Sequence, residues 1–474
     1  MSLREDFSAG YEDAKTELES VEFVQIRYTD VPGRFLAKYV SVDGGDPNDC
    51  FRSGIGLDGS SVQGFASIDE SDLLLLPDRS TLRVAAISKY KVATVIADVH
   101  EGFGKGRLVK DPRFVAQKMD ESLATDGLSC QVGPEVECFI FDDLNFTEDG
   151  TKVVSSEGGA GKYLIRRKGG YDAPPFQDSL LEFRFQVAEI LQNSYSIKVT
   201  NLNHEVASNG QIEINFAHST LTKAADNVQV YKDVVRNVAK QHDKVANFMP
   251  KPIFEENDPT EGDNGSGMHV SVSLWKKTAS GTNNLFYDSD DDYAELSQTG
   301  RYFIGGILEH AFSLTAIVAP TMNSYHRMVP GFEAPVYTAW SRGNRSAIIR
   351  VPINAKNSSS SKRIEFRAPD PSANPYLAFS AVVAAGLDGI KKKIDPGEPV
   401  NENIYKMSDT VRKSLGISSL PGSLKESLEI LNCDREYLKS CFHDELIEMH
   451  MMLKQNEIAL GKSKKQQFAL YHDI

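Results

Sequence analysis

Cysteine is scarce. The 474 residues hold five (Cys50, Cys130, Cys138, Cys433 and Cys441), and no two stand in a C-x-x-C pair. That excludes a disulfide framework and a thiolate metal site, and it suits reduced thiols in a cytoplasmic setting. Long apolar runs are missing as well. A bilayer span needs roughly 18 consecutive apolar residues. The richest stretch, Ala378 to Leu387, is shorter and reads as a buried helix. Met1 to Lys15 is polar and acidic, so it is not a signal peptide, and no membrane partner is expected. Positive charge is in deficit: 52 Lys and Arg face 66 Asp and Glu, for a net charge of -14. A nucleic-acid binder would carry a basic stripe, so nucleic acid is not expected either. Two glycine-rich loops also fall short of their motifs. Gly158 to Tyr163, GGAGKY, has Ser156 where a P-loop needs its first glycine, and Tyr163 where it needs a hydroxyl for Mg²⁺. Gly102 to Gly106, GFGKG, lacks the third glycine of a dinucleotide fingerprint. No internal repeat is visible.

What is present is an ordinary globular composition, 41% hydrophobic and 25% charged, with chain enough for about two to four domains. Val21 to Val40 reads as two strands around the turn Asp30-Val31-Pro32-Gly33, and Leu73 to Leu76 and Val92 to Val99 as further strands. Residues 1–108 are therefore expected to form a small, mostly β domain. Asp111-Pro112 then opens a helix, with Asp as cap and Pro at the first helical position. Residues 109–474 are expected to form one large α+β domain. Its helices are placed at Leu180 to Asn193, Ala224 to Phe248, Gln298 to Val318, Ala373 to Ile394 and Asp434 to Leu460. The basic patch Lys462 to Lys465 is expected to be solvated.

The most informative stretch is Val132 to Phe141, VGPEVECFIF. On a strand, alternate side chains share a face, so Glu135, Glu137, Phe139 and Phe141 point one way and Val136, Cys138 and Ile140 the other. Buried, unpaired carboxylates cost several kcal/mol each, so this pair needs cations or water. Taken alone, the strand could equally be a wet edge. The pattern recurs, however, in Gln211 to Phe216 (QIEINF), around His269, and in Lys362 to Arg367 (KRIEFR). If these strands lie side by side in a curved antiparallel sheet, their polar faces form one pocket. With Glu205, the set Glu135, Glu137, Glu205, Glu213, His269 and Glu365 suits hard divalent ions, Mg²⁺ or Mn²⁺. So much negative charge calls for two or more of them. Arg327, Arg345, Arg350, Arg363 and Arg367 are the complement. A guanidinium fork suits carboxylate and phosphate oxygens, and metals beside Arg are the usual equipment for moving a phosphoryl group.

Seven motifs carry a family resemblance. They are GLDGSS (Gly56 to Ser61), GPEVE (Gly133 to Glu137), HEVASNGQIE (His204 to Glu213), NGSGMH (Asn264 to His269), NSYHRMVPGFEAP (Asn323 to Pro335), NRSAIIRVP (Asn344 to Pro352) and RIEFRAPDPSANPYLA (Arg363 to Ala378). In this order, across nearly the whole chain, they resemble the type I glutamine synthetases. The resemblance implies an N-terminal β-grasp domain and a C-terminal catalytic domain. It implies a dodecamer of two stacked hexameric rings, with each active site between neighbouring subunits. It implies nitrogen assimilation: glutamate, ammonia and ATP giving glutamine, ADP and phosphate. Small regulatory proteins are among the partners the family admits.

Residue by residue, the resemblance makes Glu137, Glu205 and Glu213 ligands of one metal, and Glu135, His269 and Glu365 ligands of the metal that bridges the ATP phosphates. Asn264, Gly265, Arg327 and Arg367 would bind glutamate. Ser271, Ser273, Arg345, Arg350 and Arg363 would contact the nucleotide. Asp58 and Ser61 would be lent by a neighbour to an ammonium site completed by Tyr171 and Glu205, with Asp58 taking a proton. Glu333 would close the site against water and take the last proton, and Arg345 joins it and Asp58 in the catalytic set.

The chain departs from the family pattern at several points. Ser271 stands where His or Asn is common, and Asn203 replaces the first His of a His-His-Glu. Glu255 to Glu261 looks inserted, Ser358 to Ser361 is longer than usual, and the chain from Gly461 on diverges. The nucleotide-side lysine would be Lys356 or Lys362. Tyr405 occupies a position adenylylated in one subgroup, but its flanks do not match, so it reads as an ordinary exposed Tyr. Two other readings remain open. One is a relative that joins glutamate to a polyamine or other amine, which should lose the ammonium loop. The other is a non-catalytic scaffold, which should lose metal ligands.

Overall fold

Val24 and Ile26 alternate toward the core on a strand with neighbours on both sides, and the N-terminal sheet grows from it. The computed structural model describes residues 21–42, 48–85, 90–147, 150–158, 161–255, 258–279, 281–329 and 334–474. Strand β1 (Phe23–Thr29) turns back into β2 (Phe35–Ser41). At the turn, Asp30 Oδ1 accepts from the amides of Gly33 (2.9 Å) and Arg34 (2.7 Å). β3 (Ile55–Asp58), β4 (Asp72–Pro77), β5 (Arg83–Ala85) and β6 (Val92–His100) complete a sheet ordered β2-β1-β6-β4-β3, with β5 against β6. β1 and β6 run parallel, while the other pairs are antiparallel.

The second sheet is built on β7 (Leu128–Phe141), the long strand with the paired carboxylates. The hairpin β8 (Asp143–Thr147) and β9 (Gly150–Val154) follows it. Next come β10 (Val199–His204), β11 (Gln211–Phe216), β12 (Val245–Asn247), the hairpin β13 (Phe254–Glu255) and β14 (Asp258–Gly262), β15 (Met268–Thr278), β16 (Gly281–Asn284), β17 (Tyr337–Arg342), β18 (Ala347–Val351) and β19 (Ile364–Phe366). The order is β10-β11-β7-β15-β19-β18-β17, with β12 on β7 and β16 on β15. Neighbours from β10 through β18 are antiparallel, and the outermost pair β17–β18 is parallel. The four strands read from sequence as polar-faced, β11, β7, β15 and β19, are consecutive.

Helices flank the sheets: α1 (Pro112–Thr125), α2 (Leu181–Tyr195), α3 (Leu221–Gln241), α4 (Gln298–Glu309), α5 (Ala311–Val318), α6 (Met322–Arg327), α7 (Pro375–Lys392), α8 (Asp444–Leu460) and α9 (Lys464–Tyr471). α1 and α3 pack on β7, and α7 packs on α1, α3 and α4. Asp111 caps α1 through the Arg113 amide, with Pro112 at the first turn. Among the described residues no helix is long and apolar enough to cross a membrane.

Four expectations change. The helix placed at Ala224 to Phe248 ends at Gln241, because Val245–Asn247 pairs with β7 instead. Gln298 to Val318 breaks at His310 (φ −93°, ψ 6°), whose ring nitrogens sit 2.9 Å from Asp388 and Asp434. Asp434 to Leu460 is not one helix; a 3₁₀ turn at Glu436–Ser440 precedes α8, which His443 caps. The C-terminal basic patch is not merely solvated. Ser463 opens α9 with a capping box, Lys464 Nζ donates to the Phe254 carbonyl at 2.6 Å, and Phe468, Tyr471 and Ile474 bury against Met249 and Phe254.

Charge ties the two sheets together. Arg113 is buried and grips Asp226 of α3 with two bonds of 2.9 Å, Asp98 of β6 at 2.6 Å and Asp78 at 2.8 Å. Tyr376 donates its hydroxyl to the same Asp226 at 2.6 Å. Arg27 of β1 pairs with Asp233 of α3 at 2.8 and 2.9 Å. Asn374, which caps α7, donates to the carbonyls of Asp30 (3.1 Å) and Val31 (3.2 Å) in the β1–β2 turn. Removing one partner of a buried ion pair leaves the other charge uncompensated. Asp226→Ala is therefore expected to cost about 3–5 kcal/mol of unfolding free energy in urea titration. A loss under about 1 kcal/mol would place this pair with exposed, weak ones.

Candidate active site

Register decides the chemistry of the curved face. Glu213 of β11 lies directly opposite Glu137 of β7, and His269 of β15 directly opposite Glu135. On β15's other side Ser271 faces Glu365 of β19, which in turn faces Arg350 of β18. Like charges directly opposite destabilise a sheet, so the face is built against its own stability. It encloses a cavity of about 200 Å³. Glu135, Glu137, Glu205, Glu213, His269 and Glu365 line it. So do Asn264, Gly265, Arg327, Arg345, Arg350, Arg367 and Tyr171.

Within the cavity, ligand atoms of Glu135, His269 and Glu365 all lie within 4.8 Å of one another, the one such trio among the described residues. His269 Nδ1 is 3.6 Å from Glu135 and 3.9 Å from Glu365. Burial, then the nearby Arg367 guanidinium, pushes the His269 imidazole well below its ordinary pKa, so it is neutral and able to ligate. Two carboxylates and a neutral imidazole fit a hard divalent ion. Glu137, Glu205 and Glu213 share the cavity but do not draw that close together.

The arginines take up part of the negative charge. Arg367 Nη1 lies 2.6 Å from one oxygen of Glu365 and Arg350 Nη2 2.7 Å from the other. Arg327 spends Nη1 and Nη2 on the carbonyls of Ala368 (2.8 Å) and Arg367 (3.2 Å), bracing the turn after β19. A Cβ added at Gly267 would come within 2.8 Å of both Arg327 Nη2 and His269 Nε2, so these two side chains would have to shift. Its amide donates to Glu137 at 2.8 Å.

A second cavity of about 450 Å³ adjoins the first, and Glu135 and Asn215 line both. Ser271, Ser273 and Arg363, expected at the nucleotide, line this one. Arg345 and Arg350 line the first cavity. Lys362 also lines this cavity, its buried Nζ donating to the Ala294 carbonyl at 2.5 Å, and Lys356 is exposed. Six buried polar atoms of residues lining the two cavities, Asn264 Oδ1, Asn215 Oδ1, Ser271 Oγ, Arg350 Nε, Arg367 Nε and Glu365 Oε2, find no hydrogen-bond partner among the described residues. Buried polar atoms are rarely left so, and a bound ligand explains them best.

Asp58 and Ser61 line neither cavity. They sit exposed at the end of β3, where Asp58 accepts from the hydroxyls of Ser60 and Ser61, both at 2.7 Å. Those two bonds, Ser60's first, hold its carboxyl below the usual range. Glu333 lies outside the described residues. Glu255 to Glu261 falls largely in the β13–β14 hairpin. Tyr405 is half-buried rather than exposed, donating its hydroxyl to the Ala334 carbonyl at 3.1 Å.

Sequence reasoning missed the amides that aim the carboxylates. Asn203 and Asn215 both donate to Glu213 Oε2, at 3.0 and 3.2 Å. Gln211 Nε2 reaches Glu137 (3.2 Å), the Gly265 carbonyl (3.0 Å) and Ser266 Oγ (3.1 Å). Gln211 and Asn215 share one face of β11 with Glu213, and that spacing was the available signal; Asn203 lies on β10.

Burial and then Glu213 push Glu137 up to about 8, and burial and then Glu135 push Glu213 up to about 7. Between the ordinary carboxyl value of 4.5 and those values, the folded protein holds protons that the unfolded chain has released. Stability of the metal-free protein therefore falls as pH rises through that window. Thermal melting in chelator is expected to drop from pH 5 to pH 8, and added Mn²⁺ to restore most at the alkaline end. A flat profile in chelator would show the two carboxylates already compensated.

Comparison with known proteins accords with this geometry. Residues 109–471 match the family described as Glutamine synthetase, catalytic domain, and residues 20–102 match Glutamine synthetase, beta-Grasp domain. A glutamine synthetase of Sulfolobus acidocaldarius is 45% identical over 462 residues, covering 94% of this chain and 95% of the relative. One of Streptomyces coelicolor is 42% identical over 475 residues, covering 96% and 97%. Among solved structures, the cryo-EM structure of Plasmodium falciparum glutamine synthetase aligns with a TM-score of 0.82 at 28% identity, covering 96% of each chain. A GmaS/ADP complex aligns with a TM-score of 0.77 at 29% identity, covering 95% of each. Both halves of the molecule thus match in order and nearly end to end, and the chain belongs to the glutamine synthetase family, ATP-dependent ligases that form glutamine from glutamate and ammonia with the help of divalent metal.

Proposed function

We propose that this chain joins ammonia to the γ-carboxylate of L-glutamate through a γ-glutamyl phosphate, in its own two joined cavities. The observation that carries the reading is their junction at Glu135, beside the Glu135–His269–Glu365 trio. There an amino acid in the small cavity meets a nucleotide in the larger one. A carboxylate does not accept ammonia directly. A γ-carboxylate oxygen first attacks the terminal phosphorus of ATP, and the bond to ADP breaks. Ammonia then attacks the acyl carbon, the bond to phosphate breaks, and phosphate leaves.

In this reading Asn264, Gly265, Arg327 and Arg367 hold glutamate, with Asn264 Oδ1 as a ready acceptor for its ammonium group. Ser271, Ser273 and Arg363 hold the nucleotide. Arg345 and Arg350 neutralise the phosphoryl group in transfer. Glu135, His269 and Glu365 would hold one Mg²⁺ or Mn²⁺, and Glu137, Glu205 and Glu213 a second. When bound, these ions supply Lewis-acid charge neutralisation on phosphate and carboxylate oxygens. Glu333 is proposed to exclude water from the acyl phosphate and to take the last proton. The domain boundary is placed at residues 108 and 109, and the setting is cytoplasmic.

Asp58 and Ser61 are exposed and line neither of their own chain's two cavities, which suits a loop that serves a neighbour. We place them in an ammonium site with Tyr171 and Glu205 of the adjoining subunit, in a dodecamer of two hexameric rings. Asp58→Ala is expected to lower kcat/KM for ammonium about 100-fold or more, with the KM values for glutamate and ATP little changed. Unchanged ammonium kinetics would remove Asp58 from the reaction. For the activity itself, ADP release is measured with glutamate, ATP, Mg²⁺ or Mn²⁺, and either ammonium or a panel of amines. Ammonium is expected to be the preferred acceptor. Preference for an amine would make the chain an amine ligase, and no ADP with either metal would make it a scaffold.

A further inference from the structure

Outside the cavity lies a buried acid that the reaction does not use. Glu157 is fully enclosed, at 0% exposure, and His204 is 2% exposed. Glu157 Oε2 lies 2.9 Å from His204 Nε2, and Glu157 Oε1 accepts from the amide (2.9 Å) and hydroxyl (2.7 Å) of Ser179. The other ring nitrogen, His204 Nδ1, lies 2.8 Å from the carbonyl of Glu205. Both ring nitrogens thus face an oxygen partner.

Two walls of the cavity mouth meet at this pair. Glu205 follows His204 directly in the chain. Tyr171 sits in the irregular stretch from 161 to 180, whose backbone is laid onto the His204 strand. The Gly170 amide donates to the Val206 carbonyl at 3.2 Å, and the Asp172 amide to the His204 carbonyl at 3.2 Å. The approach is so close that a Cβ on Gly170 would come within 2.4 Å of the carbonyls of Glu205 and Ala207 and 2.7 Å of His204 Cε1. At the other end of the stretch Ser179 is held by Glu157, and at its start the Ile165 amide donates to the Glu157 carbonyl at 3.0 Å. The buried carboxylate thus fastens the far end of the stretch at Ser179, the backbone carbonyl of the same residue fastens its start at Ile165, and the imidazole partner fastens the Glu205 carbonyl.

We infer that Glu157 and His204 are positioning residues for the ammonium side of the site. They set the spacing between Tyr171 and Glu205, and so decide how well a small monovalent cation is held before it gives up its proton. The inference rests on the ammonium site placed above, at Tyr171 and Glu205. Neither residue of the pair lines the cavity, so glutamate and nucleotide binding should not depend on it.

The test uses the full chain as Glu157→Gln and His204→Gln, and a third variant, Gly170→Ala, which lifts the stretch from the carbonyls of Glu205 and Ala207 while both partners of the buried pair keep their side chains. Each is expected to raise the KM for ammonium about 10-fold or more, the range for loss of an outer-shell partner. The KM values for glutamate and ATP should stay within about twofold of wild type. A second readout is independent of activity. Limited trypsin cleavage after Arg166, Arg167 and Lys168 should quicken in all three variants. Unchanged ammonium KM and unchanged cleavage in Gly170→Ala and Glu157→Gln would overturn the inference. So would equal rises in all three KM values. If the wild type forms no glutamine, the functional reading fails by itself, and the cleavage rates alone still judge whether the pair holds the stretch.

Discussion

Glu137 and Glu213 face each other across two hydrogen-bonded strands, buried, with Glu135 and Glu365 close by. The rest of the molecule can be understood as holding that repulsion in place. Unsupported, such a face would lose carboxylates to water or to protons. Here β7 is clamped between β11 and β15, and the apolar faces of these strands sink into one continuous core. The backbone therefore cannot relax to part the acids. What remains is a standing demand for cations, which protons, guanidinium groups or divalent ions can each meet.

That demand gives the arginines their double part. Arg350 and Arg367 each hold one oxygen of Glu365 while lining the same cavity as the acids. A charge balanced in this way changes partners at low cost when an anionic substrate arrives, because no group has to leave a fully satisfied bond network for water. The amides of Asn203, Asn215 and Gln211, which line the same cavity, serve the geometry instead, each fixing a carboxylate oxygen.

The β-strand alternation in VGPEVECFIF, QIEINF and KRIEFR was enough to name most of the cavity's acids, because a period of two is a local property. Asn264 and Gly265, in the loop before β15, were named only because the run NGSGMH resembles the family's motif. Helix ends were less legible. Nothing local marks His310 as a break or stops the helical pattern at Gln241; a pair of distant aspartates and a free edge on β7 decide them. Lys362 and Lys356 could not be told apart by sequence, and only the structure shows Lys362 lining the second cavity with its amine on the distant Ala294 carbonyl. Tyr405 looked like a surface residue because its acceptor, Ala334, lies 71 positions away.

The sequence alone therefore determined which side chains share a face, which residue types gather into motifs, and the family those motifs belong to. These follow from backbone periodicity and order along the chain. Only the tertiary structure decided which faces meet. The Glu137–Glu213 register, the closing of Glu135, His269 and Glu365 to within 4.8 Å, and the Glu157–His204 pair beneath Tyr171 each join residues remote in sequence. Strand register and side-chain burial arise from packing the whole core at once, and no local pattern encodes them.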